Sequence, residues 1–330
     1  METINKAKIA ESIAKEIFKY FFWEVCGPTN NDFPCLSPKE ENVDKCHSVT
    51  KSHPVDGVYY YIEPYSGKTT YINTDFKNYA AASITPKKIR DPLVSLAETI
   101  ACARRSDEWK SLMSCQETHN IVGMLFIYNS NYDYTHDRHF ILNKVDTSNL
   151  PLEKGQTIHL LDPLTINYIY NIARDLKELE RDGFLYTFFY PNKEQFTNTQ
   201  PIDFEHPTAC TIEHLCSGFI LLKYITHNKN EGYLVYYNEL GKSPEEFLFL
   251  LDYLTKIQIP LNNTLKIKMT QSKADIKAAS YFETAKKKYM AYHPCLHQII
   301  ADGIRELSLE FLDDIKPNFI KGIKGWGELE

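Results

Sequence analysis

Apolar residues recur at a spacing of four near the amino terminus, at Ile9, Ile13, Ile17 and Phe21, which predicts a helix over residues 5–23. Gly27-Pro28 is the expected stop. Residues 28–54 are polar, carry Pro and Asn, and show no period, so they read as a surface loop. Two strand-like runs follow, 58–62 and 69–75, joined by Glu63-Pro64-Tyr65-Ser66-Gly67-Lys68, which has the Pro and Gly of a hairpin turn. Residues 86–103 open with Pro86 and place Ile89, Leu93, Leu96 and Ile100 on one side, a helix. The continuous apolar run 122–128 suits a buried central strand.

A second region begins near residue 150. It is expected to hold a helix over 163–182 ending at Gly183, a strand over 184–190, and a strand pair, 219–225 and 233–237, around a polar turn. Ser243-Pro244-Glu245-Glu246 starts a further helix, which runs to about residue 257, and 264–269 resembles a strand. The pattern predicts an α/β domain over 1–148 and a smaller α+β domain over 149–330, with the boundary within 148–156. No internal repeat or low-complexity tract is visible in the letters.

Composition narrows the class. Of 330 residues, 43% are hydrophobic and 13% aromatic, which excludes a disordered, collagenous or disulfide-scaffold chain. No apolar run is long enough to span a bilayer, and the first residues mix Lys with Glu, unlike a signal or transit peptide. The expected setting is cytoplasmic, with no membrane partner. The net charge of −6 excludes a wholly basic nucleic-acid coat protein but leaves room for a local phosphate-facing patch. Eight cysteines, at 26, 35, 46, 102, 115, 210, 216 and 295, form no C-x-x-C pair and read as reduced thiols.

The chemistry concentrates in residues 53–80. Asp56 precedes the first strand of the hairpin, and Asp75-Phe76-Lys77 closes the second. Residues i and i+2 of a strand share a face, so Asp75 and Lys77 project together while Phe76 turns to the core. The hairpin brings Asp56 beside Asp75. Paired carboxylates are hard oxygen ligands suited to Mg²⁺, with the Phe76 carbonyl as a further oxygen, and a nearby lysine can orient water. The plainer alternative for Asp75 and Lys77 is a solvated salt bridge of little consequence.

An Asp, a hairpin and Asp-x-Lys between two helices resemble the PD-(D/E)xK nuclease superfamily, with its restriction-endonuclease-like fold, over roughly residues 7–130. That superfamily often carries a glutamate on its first helix, in a pattern like A-E-x-x-A-x-x-x-L-x-x-x-G-[YW]-x-V. Here Ala10-Glu11 opens the matching segment, which ends at Trp23-Glu24-Val25. The chain departs from the pattern where Tyr and Phe replace the Gly before the aromatic residue, where Pro54 stands one residue earlier than in the compact Pro-Asp form, and where Asp75 stands in place of the commoner Glu. The resemblance implies Mg²⁺- or Mn²⁺-dependent hydrolysis of DNA. Asp56 and Asp75, the Phe76 carbonyl and Glu11 would be metal ligands and Lys77 the water-positioning group. RNA is the other polyanion such chemistry would cut. It also implies, at class level, a restriction or phage-defence effector controlled by a protein partner or a second copy of the chain. An inactive nuclease-like binding module, or a subunit of a larger complex, is the alternative. For Glu11 the plainer account is a surface residue paired with Lys15, and Glu16 is the alternate acid.

Other signals are weaker. Cys26, Cys35, Cys46, His47 and His53 share one loop, but their spacings are too long and irregular for a structural zinc motif, so they read as buried thiols and a loop histidine. His53 reads as a strand-entry residue rather than a group facing phosphate. His136-Asp137-Arg138-His139 lies in a polar loop, where charges are usually just solvated. His293-Pro294-Cys295-Leu296-His297 lacks a nearby carboxylate. Leu240-Gly241-Lys242-Ser243 lacks the earlier glycine of a P-loop, because Tyr236 occupies that position. Lys87, Lys88, Arg90, Arg104 and Arg105 follow the acidic motif. Residues 261–290 hold seven lysines against two acids, a local excess of +5 that either tracks phosphates or is a solvated helix face.

Overall fold

The computed structural model describes residues 2–36, 52–129, 131, 133–135, 140–191, 204–271, 273–296 and 298–316. They fall into two compact units, one of residues 2–170 together with Lys316 and the other of residues 171–315.

Helix α1 (Glu2–Phe18) opens the first unit. It stops well before Gly27-Pro28, because a 3-10 turn over Lys19–Phe21 ends at Phe22 with φ 59°. The Trp23 N–H returns to the Phe18 carbonyl at 3.1 Å, and the two rings stack with centroids 4.4 Å apart. Aromatic packing thus overrides the helical period. After it come β1 (Glu24–Cys26), β2 (Asn31–Pro34), β3 (Ser52–Val55), β4 (Gly57–Ile62) and β5 (Thr69–Asn78). Next are α2 (Pro86–Ala103), α3 (Asp107–Leu112), β6 (His119–Tyr128), α4 (Phe140–Lys144) and β7 (Ile158–Leu161).

Five strands form one sheet in the order β1-β4-β5-β6-β7. The β1/β4 and β4/β5 pairs are antiparallel, and the β5/β6 and β6/β7 pairs are parallel. Along β5, Phe76 points toward α1, where its ring meets Phe126 and Phe126 meets Phe18. The alternate residues follow Tyr71, which joins the α2-side core with Ile89, Leu93, Leu96 and Ile100. Thr85 caps α2 by accepting the Lys88 N–H at 3.3 Å, with Pro86 pre-set in the first turn. Gly123 lets α2 approach β6 closely, since a Cβ there would come 3.1 Å from Leu96 and 3.0 Å from Ile158.

Helix, antiparallel strands, helix and parallel strand follow in the order expected of a restriction-endonuclease-like core. Two expectations change. Residues 28–54 are not all loop, because β2 and β3 pair as a short antiparallel ribbon with Phe33 opposite His53. The first unit also runs past the expected boundary near 148, because β7 completes its sheet beside β6.

The division between the units falls inside α5 (Pro163–Arg181). The second unit contains β8 (Leu185–Phe188), α6 (Ile212–Leu215), β9 (Phe219–Ile225), β10 (Glu231–Tyr237), α7 (Pro244–Lys256), β11 (Leu265–Thr270), α8 (Ala278–Tyr292), α9 (Gln298–Glu306) and β12 (Leu309–Leu312). Its sheet runs β8-β9-β10-β11-β12, again two antiparallel pairs followed by two parallel ones. The topology of the first sheet is therefore repeated, although the letters show no repeat.

The basic excess of 261–290 is largely engaged inside this unit. Buried Lys268 binds Asp175 at 2.8 Å, and Tyr236 donates to the same carboxylate at 2.7 Å. Lys286 is buried on the carbonyls of Arg305 and Leu307 at 3.0 and 2.8 Å. Lys266 lies over the rings of Phe184 and Tyr224, and Lys288 pairs with Glu245. No described helix is long and apolar enough to cross a membrane.

Candidate active site

The β4–β5 hairpin sets the site. Gly57 is paired with Thr74, so the next rung outward places Asp56 beside Asp75. The Phe76 N–H donates to Asp56 Oδ2 at 2.8 Å, which fixes this carboxylate against the strand that carries its partner. Gly57 leaves room for the Phe76 ring, which a Cβ there would meet at 3.3 Å. Two residues along the same face, Lys77 Nζ pairs with Asp75 Oδ1. The Asp75 side chain is only 19% exposed and that of Lys77 30% exposed.

The electrostatics follow from this crowding. Burial pushes the Asp75 carboxyl up to about 6, and the charge and hydrogen bond of Asp56 add to the rise, while Lys77 pulls it down without prevailing. For Lys77, burial lowers the pKa, but the attraction of Asp75 and then Asp56 outweighs it, and the ammonium is held above its usual range. Two acids thus share one monovalent counter-ion in a partly desolvated corner. A divalent cation would cancel the charge that burial penalises, and an oxygen-only donor pair fits a hard ion such as Mg²⁺. The acid pair and lysine read from the sequence are brought together here.

Glu11 stands differently. It belongs to α1, which packs on the Phe76 side of the sheet, and its carboxylate pairs with Lys15 Nζ at 2.8 Å. Its charge acts on the buried Tyr59 hydroxyl, whose pKa burial has already raised. The i,i+4 pairing of the plainer account is present, but the Glu11 side chain is only 13% exposed and so is not a surface residue.

Tyr79 belongs to the neighbourhood and carries no motif that would reveal it, and Lys88, one of the basic residues that follow the acidic motif, joins it there. Burial raises the Tyr79 phenol; Lys77 lowers it, and Asp75 and Asp91 add to the rise. Lys88 Nζ sits 4.6 Å from the Tyr79 ring centroid, so the first turn of α2 brings a cation beside this wall. The arginines after the motif serve the scaffold, whereas Lys87 is exposed. Arg90 binds the carbonyls of Asp146 and Ser148, and Arg104 and Arg105 both pair with Glu153.

In the second sheet the rung outside the first residue of β9 holds Gly218 and Asn238, whose backbones bond at 2.7 Å, so no acid pair stands there. Of the remaining sequence candidates, His136–His139, Cys46, His47 and His297 lie outside the described residues.

No curated protein and no solved structure matches the chain. A family model described as the GAPS4 protein PD-(D/E)XK nuclease domain matches residues 1–165. That span is half of the chain and contains the whole five-stranded sheet with Asp56, Asp75 and Lys77. The chain belongs to the GAPS4 PD-(D/E)XK nuclease domain family.

Proposed function

We propose that the chain hydrolyses DNA phosphodiester bonds as an endonuclease with Mg²⁺ or Mn²⁺ as cofactor. The observation that carries this reading is the half-desolvated Asp56–Asp75 pair with Lys77 on the same strand face. Asp56, Asp75 and the Phe76 carbonyl would hold the cation. When bound, it supplies neutralisation of the charge that gathers on the scissile phosphate.

The chain's own groups do the rest. Asp56 is pre-oriented by the Phe76 N–H, so little ordering is needed when the site is filled. Lys77, with its pKa held up, is a cation at neutral pH. It therefore orients the attacking water by donating a hydrogen bond and opposes developing negative charge, rather than accepting the proton. Lys88, seated on Tyr79, supplies positive charge for the substrate backbone. By family likeness we place the activity in phage defence.

Glu11 acts as an auxiliary acid in this scheme. Because its carboxylate is engaged by Lys15, Glu11→Gln should lower the cleavage rate by less than about tenfold, far less than loss of a central acid. Single-turnover rates of the two variants measured side by side check this.

The raised Asp75 pKa gives a pH signature. Cation binding needs the carboxylate, so metal affinity should be level above pH 7 and weaken as pH falls through about 6. The metal-free fold behaves oppositely. Its Asp75 holds a proton more tightly than the ordinary value of 3.8, so this group's contribution to stability grows as pH falls from about 6 toward 3.8. Metal titrations across that range, beside melts in chelator, test both signs.

The functional test is cleavage of plasmid and single-stranded DNA with Mg²⁺ or Mn²⁺ by wild type and Asp56→Asn. Loss of cutting in the folded variant supports the reading. Equal cutting by both would place the activity elsewhere.

A further inference from the structure

We propose that Cys35, His53 and Cys102 form a zinc site that fastens the β2–β3 ribbon to the end of α2. Cys35 follows β2 directly, His53 sits in β3, and Cys102 is the penultimate residue of α2. Their ligand atoms, one from each side chain, all lie within 4.8 Å of one another. In a tetrahedral zinc site, Zn–S bonds of about 2.3 Å and Zn–N bonds of about 2.0 Å put such donors about 3.5–3.8 Å apart. The ion therefore needs to draw the trio together by only about 1 Å, within the reach of small side-chain rotations.

The chemistry of the donors selects the metal. Two thiols and an imidazole favour Zn²⁺, whereas Mg²⁺ takes oxygen, so this site and the acid pair do not compete for one ion. His53 and Cys102 are each 2% exposed, and Cys35 is partly buried. The Leu36 N–H points at Cys102 Sγ at 3.4 Å. That sulfur is thus already a hydrogen-bond acceptor, the outer-shell contact that steadies a metal-bound thiolate. The Phe33 ring lies 5.3 Å from the imidazole and walls one side. Cys26, the last residue of β1, is engaged elsewhere, with its thiol on the Met113 carbonyl at 3.0 Å. Cys46 and His47 lie outside the described residues and form no part of the proposal.

The position gives the ion a role. His53 is in the strand that leads straight into Asp56, with Val55 buried between them. The Asp56 carbonyl accepts the Asn30 N–H at 3.0 Å, a further tie just beyond the ribbon, from the residue before β2. A metal clamp at His53 would hold the backbone that delivers Asp56 to the acid pair. The zinc site stands on its own geometry, whether or not the chain cuts DNA.

The test is metal content of the full chain, purified without chelator or added metal and passed through gel filtration. Wild type and Asp75→Asn should each carry one zinc per chain, and Cys102→Ser and His53→Ala should lose it. Cys102→His, which restores a donor, should recover most of it. Should the loss variants fail to fold, the wild type refolded with Co²⁺ decides: sulfur-to-cobalt charge-transfer bands and intense tetrahedral d–d bands are expected. Only trace zinc in wild type without those cobalt bands, full zinc in a folded Cys35→Ser/Cys102→Ser double variant, or a Cys35–Cys102 disulfide found by mass spectrometry would overturn the proposal.

Discussion

Asp75→Asn should abolish DNA cleavage while leaving the fold intact. Asparagine keeps the size of the side chain and a hydrogen-bonding oxygen beside Lys77, but it cannot offer a negative ligand to a cation. Loss of a single group that stabilises developing charge costs about 10²–10³ in rate in well-studied enzymes. An acid that also holds the metal should cost at least that much, so cleavage should fall to background. The fold should not suffer. At neutral pH, burial and the neighbouring Asp56 both disfavour the ionised Asp75 that the substitution removes. In chelator, the variant should melt no lower than wild type at pH 7. Loss of activity together with a lowered melting temperature would mean that Asp75 is a structural residue.

Lys77→Met should be nearly as damaging to turnover but should spare metal binding. The methylene stem is retained, and the acid pair loses a competitor for Asp75 Oδ1. Because Lys77 contributes a hydrogen bond and a charge to the reacting water and phosphate, its removal should cost about 10²–10⁴ in rate. Loss of Lys77, whose charge and hydrogen bond pull the Asp75 pKa down, moves that titration up, so the cation should still bind at pH 8 but lose affinity at a higher pH than in wild type. Lys77→Arg distinguishes the two things a lysine can do. Arginine keeps the charge and the donors but cannot release a proton. Partial recovery in the arginine variant is therefore expected if Lys77 orients water, and none if it must give up a proton. Single-turnover cleavage combined with calorimetric Mn²⁺ binding checks both parts.

The acid pair and its lysine were legible because the physics that assembles them is local. A short turn fixes the hairpin register, and strand alternation then puts Asp75 and Lys77 on one face with Phe76 on the other. Helix α2 was legible to the residue for the same reason: Thr85, Pro86 and the Ile89–Leu93–Leu96–Ile100 stripe agree with one another. What stayed hidden depends on contacts distant in sequence. Helix α1 ends early because Trp23 folds back on Phe18, which no periodicity count registers. Cys102 joins Cys35 and His53 only through the packing of α2 on β3, so loop spacing alone argued against metal. The basic run in 261–290 resembled a phosphate track because a charge count cannot see that Lys268 and Lys286 are buried on internal acceptors. The repeated strand order of the second unit is topological, carried by ladder pairing rather than by shared letters.

The central claim is that Asp56 and Asp75 form a divalent-cation site, and it can be tested without any activating partner. Mn²⁺ would be titrated calorimetrically into metal-stripped full-length protein at pH 7.5, wild type against Asp75→Asn, with both shown to be folded. Saturable binding by wild type that Asp75→Asn lacks is the expected result. Equal binding by the two proteins, or none by the wild type, would contradict the account.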